Sequence, residues 1–277
     1  LPSNDHHIRI DPPRGWQLVN VRELWRYREL LFFLVWRDVK VRYKQAVLGV
    51  AWAVIQPAML MFVFSVFLGR LGGFTGGNIP YELFVLTGLV AWTFFASAVS
   101  QAAASVIGSE RLITKIYFPR LAVPFAAVGA AFFDFVISLG LLALVMACFG
   151  HPPSWQIVFL PFILMILLLA ASGLGTLLAG LTVAFRDFRY VTPFIVQVGM
   201  YATPSIYMVL PEQPSEAMGL WLKLNPLVAP IEAFRASLLG GTMPWVGLAT
   251  SAAVAVAIFA CGCLYFRKVE DDFADKI

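Results

Sequence analysis

LAVPFAAVGAAFFDFVISLGLLALVMACFGHPPSWQIVFLPFILMILLLAASGLGTLLAGLTVAF, residues 121–185, carries a single charged side chain, Asp134. At roughly 20 apolar residues per crossing of ~30 Å of hydrocarbon, this stretch is too long for one membrane helix and right for two. The break falls at Gly150-His151-Pro152-Pro153, where two prolines withhold backbone donors and stop a helix. Spans are therefore expected over 121–149 and 155–185. Outward from them, uncharged runs at 50–68, 83–106, 191–210 and 245–266 predict four more, the run at 191–210 being interrupted by Pro204.

The composition of the 277 residues agrees: 60% are hydrophobic and 13% charged, against about 45–50% and 25% in soluble domains. With a mean hydropathy of +0.80, the chain has more apolar surface than one water-facing globule of this size can hide. An ordinary soluble enzyme is excluded. Cys148, Cys261 and Cys263 lie in apolar runs and are odd in number, which argues against a disulfide framework or a thiolate metal site. A net charge of +4 reports orientation in a membrane chain rather than nucleic-acid binding.

Nine basic residues precede the first span: Arg9, Arg14, Arg22, Arg26, Arg28, Arg37, Lys40, Arg42 and Lys44. The second-to-third connection adds Arg111, Lys115 and Arg120, the fourth-to-fifth Arg186 and Arg189, and the tail Arg267, Lys268 and Lys276. Only Arg70, Lys223 and Arg235 fall on the other side. The positive-inside rule then places both termini in the cytoplasm, consistent with six spans and with the absence of a signal-peptide pattern in the first 48 residues. The organisation expected is a cytoplasmic N-terminus over 1–48 and a six-span domain over 49–277.

Three pieces do not span. Residues 21–40, VRELWRYRELLFFLVWRDVK, gather Leu24, Trp25, Leu31, Phe32, Val35 and Trp36 on one side and Arg22, Arg26, Arg37 and Lys40 opposite, with Arg28 intruding on the apolar face. A basic amphipathic helix with Trp and Phe lies in the headgroup layer; a cytoplasmic core helix is the plainer alternative. Residues 107–119, IGSERLITKIYFP, mix Glu110, Arg111 and Lys115 with Leu112, Ile113, Ile116, Tyr117 and Phe118, the character of either a solvated turn or a docking element for a partner. Residues 211–243 are too short to span and too apolar for an exposed loop. They read as two short re-entrant or interfacial helices on the outer face, which need protein over their ends.

Catalytic motifs are absent: the sequence holds no GxxxxGK[ST], HExxH, CxxC or GxSxG. Asp134 alone within the spans supports neither a lipid-phosphate enzyme nor a proton relay. Two readings of it stay open, a polar group facing an aqueous path and a helix contact hydrogen-bonded to a Ser or Thr of a neighbouring span. Aromatic side chains with nothing to react are plentiful: Trp52, Phe62, Phe64 and Phe67 in the first span, Trp92, Phe94 and Phe95 in the second, Tyr201 and Tyr207 in the fifth. Such faces suit the C–H faces of sugar rings, although most membrane aromatics meet lipid or sit in the interface belt. In the fifth span Phe194, Gln197, Tyr201 and Ser205 recur at helical spacing.

Residues 36–57, WRDVKVRYKQAVLGVAWAVIQP, resemble the entry segment of the permease subunits of ABC exporters for cell-surface polysaccharides and polyol phosphates, the Wzm-like O-antigen, capsule and teichoic-acid permeases. The resemblance continues at KIYFPRLAVP (115–124), FRDFRYVTPFIVQVGMYATPSIY (185–207) and NPLVAPIEAFRASLLG (225–240), in family order over about residues 20–270. The extended N-terminus and the RYKQ wording are closer to the O-antigen and teichoic-acid branches. The resemblance implies an all-α integral membrane protein of the inner membrane, a homodimer of six-span subunits around a central channel. It implies two copies of a separate cytoplasmic ATPase, which would hold the ATP and Mg while this chain holds no cofactor, and a polysaccharide cargo linked to a polyprenyl diphosphate or similar lipid.

Carried onto this chain, the resemblance makes residues 21–40 the interfacial helix and 107–119 the coupling element, through Glu110, Arg111, Leu112, Lys115 and Tyr117. It makes 211–243 a pair of outer gate helices, with Trp221, Asn225, Pro226, Glu232 and Arg235. Trp52, Phe62, Trp92, Phe95, Gln197, Tyr201, Ser205 and Tyr207 are then the candidates for lining a glycan channel. Arg37, Lys40, Arg42 and Lys44 stand at its cytoplasmic entrance, where they would attract a diphosphate. Other classes that an apolar multi-span chain admits are a lipid-linked sugar enzyme, which needs a carboxylate or His cluster at one interface, and a secondary transporter, which needs internal repeats; neither feature is found. A small-molecule efflux permease is disfavoured by RDVKVRYKQAVLG.

Overall fold

The computed structural model describes residues 25–44, 49–73, 79–115, 118–207, 219, 221–222, 224–270 and 273. Among these the architecture is all-helical. Five helices are long and apolar enough to cross a membrane: Ala51–Leu71, Tyr81–Gly108, Ala122–Cys148, Trp155–Ala184 and Trp245–Glu270.

The chain enters through α1 (Arg28–Lys44), then α2 (Ala51–Phe64), whose last turns loosen into a π-helix over Ser65–Leu71. α3 (Tyr81–Gly108) returns and a one-turn α4 (Glu110–Ile113) follows it at once. α5 (Ala122–Cys148) ends on Gly150 at φ 64°, with the His151 N–H donating to the Met146 carbonyl at 3.0 Å, the left-handed closure that glycine permits. Pro152-Pro153 completes the break, as the sequence indicates. A 3₁₀ turn over Trp155–Phe159 leads into α6 (Leu160–Ala184). α7 (Phe188–Ala202), α8 (Val228–Leu239) and α9 (Trp245–Glu270) finish the set.

α3 is the hub. Its apolar window is 78% buried, whereas that of α2 is only 6% buried, so α2 leans on the body without belonging to its core. α3 packs against α5 and α6, and α9 lies along α6. The α6–α9 pair is held at backbone contact: a Cβ added at Gly262 would stand 2.3 Å from the Gly173 carbonyl oxygen. In lipid, where apolar side chains gain little by leaving the solvent, such small-residue contacts carry helix association. α2 and α7 both rest on α3, each turning an apolar face outward through Trp52, Phe62 and Phe67 on one and Phe194, Ile195, Val198 and Tyr201 on the other.

The expected fifth span differs. A helix over 191–210 is replaced by the 15-residue α7, about 22 Å long at 1.5 Å per residue against ~30 Å of hydrocarbon. It stops because Thr203 precedes Pro204, and a residue before proline is pushed out of the helical region; Thr203 sits at φ −116°, ψ 132°. The amphipathic pattern of 21–40 is also redistributed, residues 21–24 lying outside the described set. Leu34 and Val39 are buried, and α1 packs on α5, where Val35 fills the space beside Gly129. Trp25, Phe32 and Trp36 face outward, with the Arg28 guanidinium 5.7 Å from the Trp25 ring. One helix thus has a protein-facing apolar side and a second, aromatic, outward side.

Candidate transport path, gate and coupling surface

The last turn of α1 delivers Arg42 and Tyr43 to the middle of α5. There Arg42 forms an ion pair with Asp134 and donates to the Gln101 side chain of α3, while the Tyr43 hydroxyl donates to the other Asp134 oxygen. Gln101 donates in turn to Ser97. Of the two readings of Asp134, the helix contact has a guanidinium and a phenol of the amphipathic helix as partners rather than a Ser or Thr of a neighbouring span, and Asp134 also borders the cavity described next. A carboxylate at this depth needs a charged partner to offset its desolvation, and α1 is near enough to supply one. Burial and the Asp134 carboxylate push the Tyr43 phenol up to about 12, so it remains a donor at any physiological pH.

This network walls a cavity of about 520 Å³ between α1, α2, α3 and α5. Trp52 and Gln56 of α2, Trp92, Ser97 and Ser100 of α3, and Ser138 of α5 contribute to its lining. Ligand sites of this size typically combine an apolar wall with a few convergent polar groups, and this wall is aromatic. Trp92 is nevertheless largely buried, its ring filling the space left by Gly199 on α7. Phe95 lies inside the core, 5.8 Å from the Trp92 ring centroid. Trp52, Phe62, Gln197 and Tyr201 are exposed. Ser205 is buried beyond the end of α7, so the helical face expected through Phe194, Gln197, Tyr201 and Ser205 ends at Tyr201.

The broken end of α7 is a built structure. Its last carbonyls have no helical partner, and backbone left unsatisfied in lipid costs several kcal/mol. Here the Tyr207 hydroxyl donates to the Tyr201 carbonyl at 2.9 Å and the Trp221 indole to that of Ala202 at 3.1 Å. Arg235 of α8 donates to the Ser205 carbonyl at 3.0 Å, and the Tyr81 hydroxyl to that of Ile206 at 2.8 Å. Asn225 donates to the Thr203 hydroxyl at 3.0 Å and accepts the Leu227 N–H at 3.0 Å, closing the turn at Pro226 ahead of α8.

The Arg235 guanidinium lies over the Phe84 ring, 3.7 Å from its centroid. Burial lowers it to about 10, opposed by Glu232 and Tyr81, while burial raises the Glu232 carboxyl against the pull of Arg235. Of the residues expected in a gate, Trp221, Asn225 and Arg235 bond to the chain at this break, Pro226 follows Asn225 and Glu232 lies near Arg235 on α8; most of 208–223 lies outside the described residues.

At the opposite end α4 continues α3 almost without interruption. Ile113 is buried beside Leu34, Val106 and Phe118, whereas Glu110, Arg111 and Lys115 are exposed and Leu112 is half-buried; Tyr117 lies outside the described residues. Arg37 pairs with Asp38 at 2.8 Å and reaches the Ser109 hydroxyl at 3.4 Å, so α1 touches the start of α4. Lys40 and Lys44 are exposed, while Arg42 is committed to the Asp134 network.

Sequence reasoning missed Gln101, Tyr81 and Gly88. A Cβ at Gly88 would fall 1.8 Å from the Ser205 carbonyl oxygen. Nothing in periodicity or motif marks these positions; only knowledge of which distant residues meet would have found them.

A hub helix, two outward aromatic helices, a pinned break at one end and a charged one-turn helix at the other make up a multi-span membrane architecture. The chain belongs to the ABC-2 type transporter family, whose match covers residues 29–239. It is 31% identical over 258 residues to the O-antigen export system permease protein RfbA of Myxococcus xanthus, covering 93% of this chain and 98% of that protein. A Klebsiella pneumoniae protein of the same name is 27% identical over 89% of this chain and 94% of its own length. The polysialic acid transport protein KpsM of Escherichia coli is 22% identical over 74% and 79%.

Proposed function

We propose that this chain is the membrane subunit of an ATP-driven exporter that moves a lipid-linked, O-antigen-like polysaccharide from the cytoplasm across the inner membrane. Two copies enclose the channel, each contributing the outward faces of α2 and α7. The sixth crossing begins as the helix α7 and continues through the turn at 203–207. Both termini are cytoplasmic, where the basic residues concentrate. α1 lies in the headgroup layer, α8 and the segment before it form an outer gate, and α4 seats in a separate ATPase that binds ATP and Mg. Arg37, Lys40, Arg42 and Lys44 attract the diphosphate of the carrier lipid at the entrance, each such contact being worth ~1 kcal/mol near an anionic surface.

The observation that carries this reading is the pair of uncovered aromatic faces on α2 and α7, resting on the same hub helix beside a polar and aromatic cavity. Aromatic rings offer a sugar polymer stacking surfaces without fixing one chemical group, as a long cargo requires. Tyr201, exposed on α7, is the direct test. Tyr201→Ala is expected to lower surface polysaccharide several-fold while membrane abundance and basal ATPase activity persist. A fall in export that only tracks lost protein would assign Tyr201 to packing and remove the channel role of this face.

A further inference from the structure

In the described structure Arg42 has two anchors, Asp134 and Gln101, and Asp134 has two donors, Arg42 and Tyr43. Neither charge is sealed: the side chains of Arg42 and Asp134 retain 31% and 21% of their exposure, and both border the 520 Å³ cavity. An anion entering the cavity meets a guanidinium already occupied by a carboxylate of the same protein. Phosphate and carboxylate compete for the same planar fork of donors, so binding requires an exchange of partners.

We infer that Asp134 is a built-in competitor for a diphosphate headgroup: it holds Arg42 while the cavity is empty and yields it to a phosphate group when the cavity fills. This rests on the reading of the cargo as a lipid diphosphate and extends it to a site inside one protomer. The exchange has a mechanical corollary. Arg42 and Tyr43 are the last-turn ties of α1 to α5, and α1 also touches Ser109 at the start of α4. Handing Arg42 to a ligand loosens α1 at one end and thereby informs the α4 surface that the cavity is occupied. A ligand shifts such an equilibrium only by its differential affinity for the two arrangements, and the freed guanidinium supplies that difference.

The test uses the full chain in lipid nanodiscs, titrated calorimetrically with farnesyl diphosphate, inorganic pyrophosphate and farnesol. Asp134→Asn keeps the shape and one acceptor but removes the competing charge. It is expected to bind farnesyl diphosphate about tenfold more tightly than the parent, the order of one charge-assisted hydrogen bond that no longer has to be broken. Tyr43→Phe leaves Asp134 with Arg42 alone and is expected to bind more weakly; Arg42→Ala should lose the difference between the two Asp134 forms. Pyrophosphate following the same order with lower affinity indicates recognition of the diphosphate itself, and farnesol should show no dependence on residue 134. If the parent binds the diphosphate but Asp134→Asn binds equally or less well, the competitor role is wrong while the headgroup reading stands. If no form binds either diphosphate, both fall.

Discussion

Gly88 carries the end of α7 as a flat spot on the hub helix. A methyl group there would meet a backbone oxygen at 1.8 Å and the Arg235 guanidinium at 2.7 Å, and backbone cannot swing aside as a flexible side chain can. Gly88→Ala is therefore expected to destabilise the protein by about 1–3 kcal/mol, the usual scale of overpacking, and to do so by unseating the Ser205 and Arg235 contact. Gly108→Ala, where nothing lies within 4 Å, is the matched control. Thermal unfolding in nanodiscs should separate the two, and equal midpoints would mean that the break does not rest on α3. Gly88 could not be read in advance because a glycine inside an apolar helix looks alike whether it faces lipid, a side chain or a carbonyl. Asp134 was conspicuous for the opposite reason, being the lone charge in its stretch. Its partner stayed hidden because Arg42 lies 92 residues away and reads, in sequence, as one more cytoplasmic cation.

Among the elements, those set by length and breakers were legible: the five long helices fall within a few residues of their expected ends, and Gly150-His151-Pro152-Pro153 breaks the chain as the prolines require. Two were not. Pro204 announced an interruption, but helical spacing carried Ser205 onto the face of a helix that stops three residues earlier, at Ala202, because periodicity assumes the helix continues. The basic helix was assigned one apolar face, whereas burial against α5 claims Leu34 and Val39 and leaves the tryptophans outside. α4 is the element with the clearest experimental handle. Glu110 and Arg111 are exposed and Ile113 anchors the turn, so the proposed coupling role and folding can be tested separately within four residues. Glu110→Ala with Arg111→Ala should leave abundance unchanged and weaken both co-purification of the ATPase and its stimulation. Ile113→Ala should instead cost ~2–5 kcal/mol and lower abundance. Full assembly and full stimulated activity in the double variant would remove α4 from the coupling role.

For the whole molecule, the uneven burial of its helices is the main fact. α3 sits at the centre of the described helices and α2 at their margin, which leaves α2 as the surface for the proposed second copy. With Cys148, Cys261 and Cys263 replaced, single cysteines at Phe62 or Phe194 are expected to cross-link two copies in native membranes, and one at Val158, exposed on the 3₁₀ turn before α6, to remain monomeric. Uniform failure at both aromatic positions would place the interface elsewhere. The Arg42–Asp134 network and the pinned break after α7 meet opposite halves of α3, at Gln101 and at Tyr81 and Gly88, so the proposed dimer along α2 and α7 would join two copies of each into one path.

The looseness of α2 also bears on how the protein is made. It leaves the ribosome before α3, the surface on which it rests, and it carries Pro57 within it and a π-helical end. On the proposed dimer, a newly inserted protomer would wait in the bilayer with one weakly held helix on display, and a surplus protomer would stay in that state. Degradation tracks the population of opened states, which would tie the number of surviving copies to the number that pair. The half-life of the chain in a pulse-chase should then lengthen when its own expression rises past the dimerisation threshold, whereas a protein stable as a monomer would decay at one rate throughout.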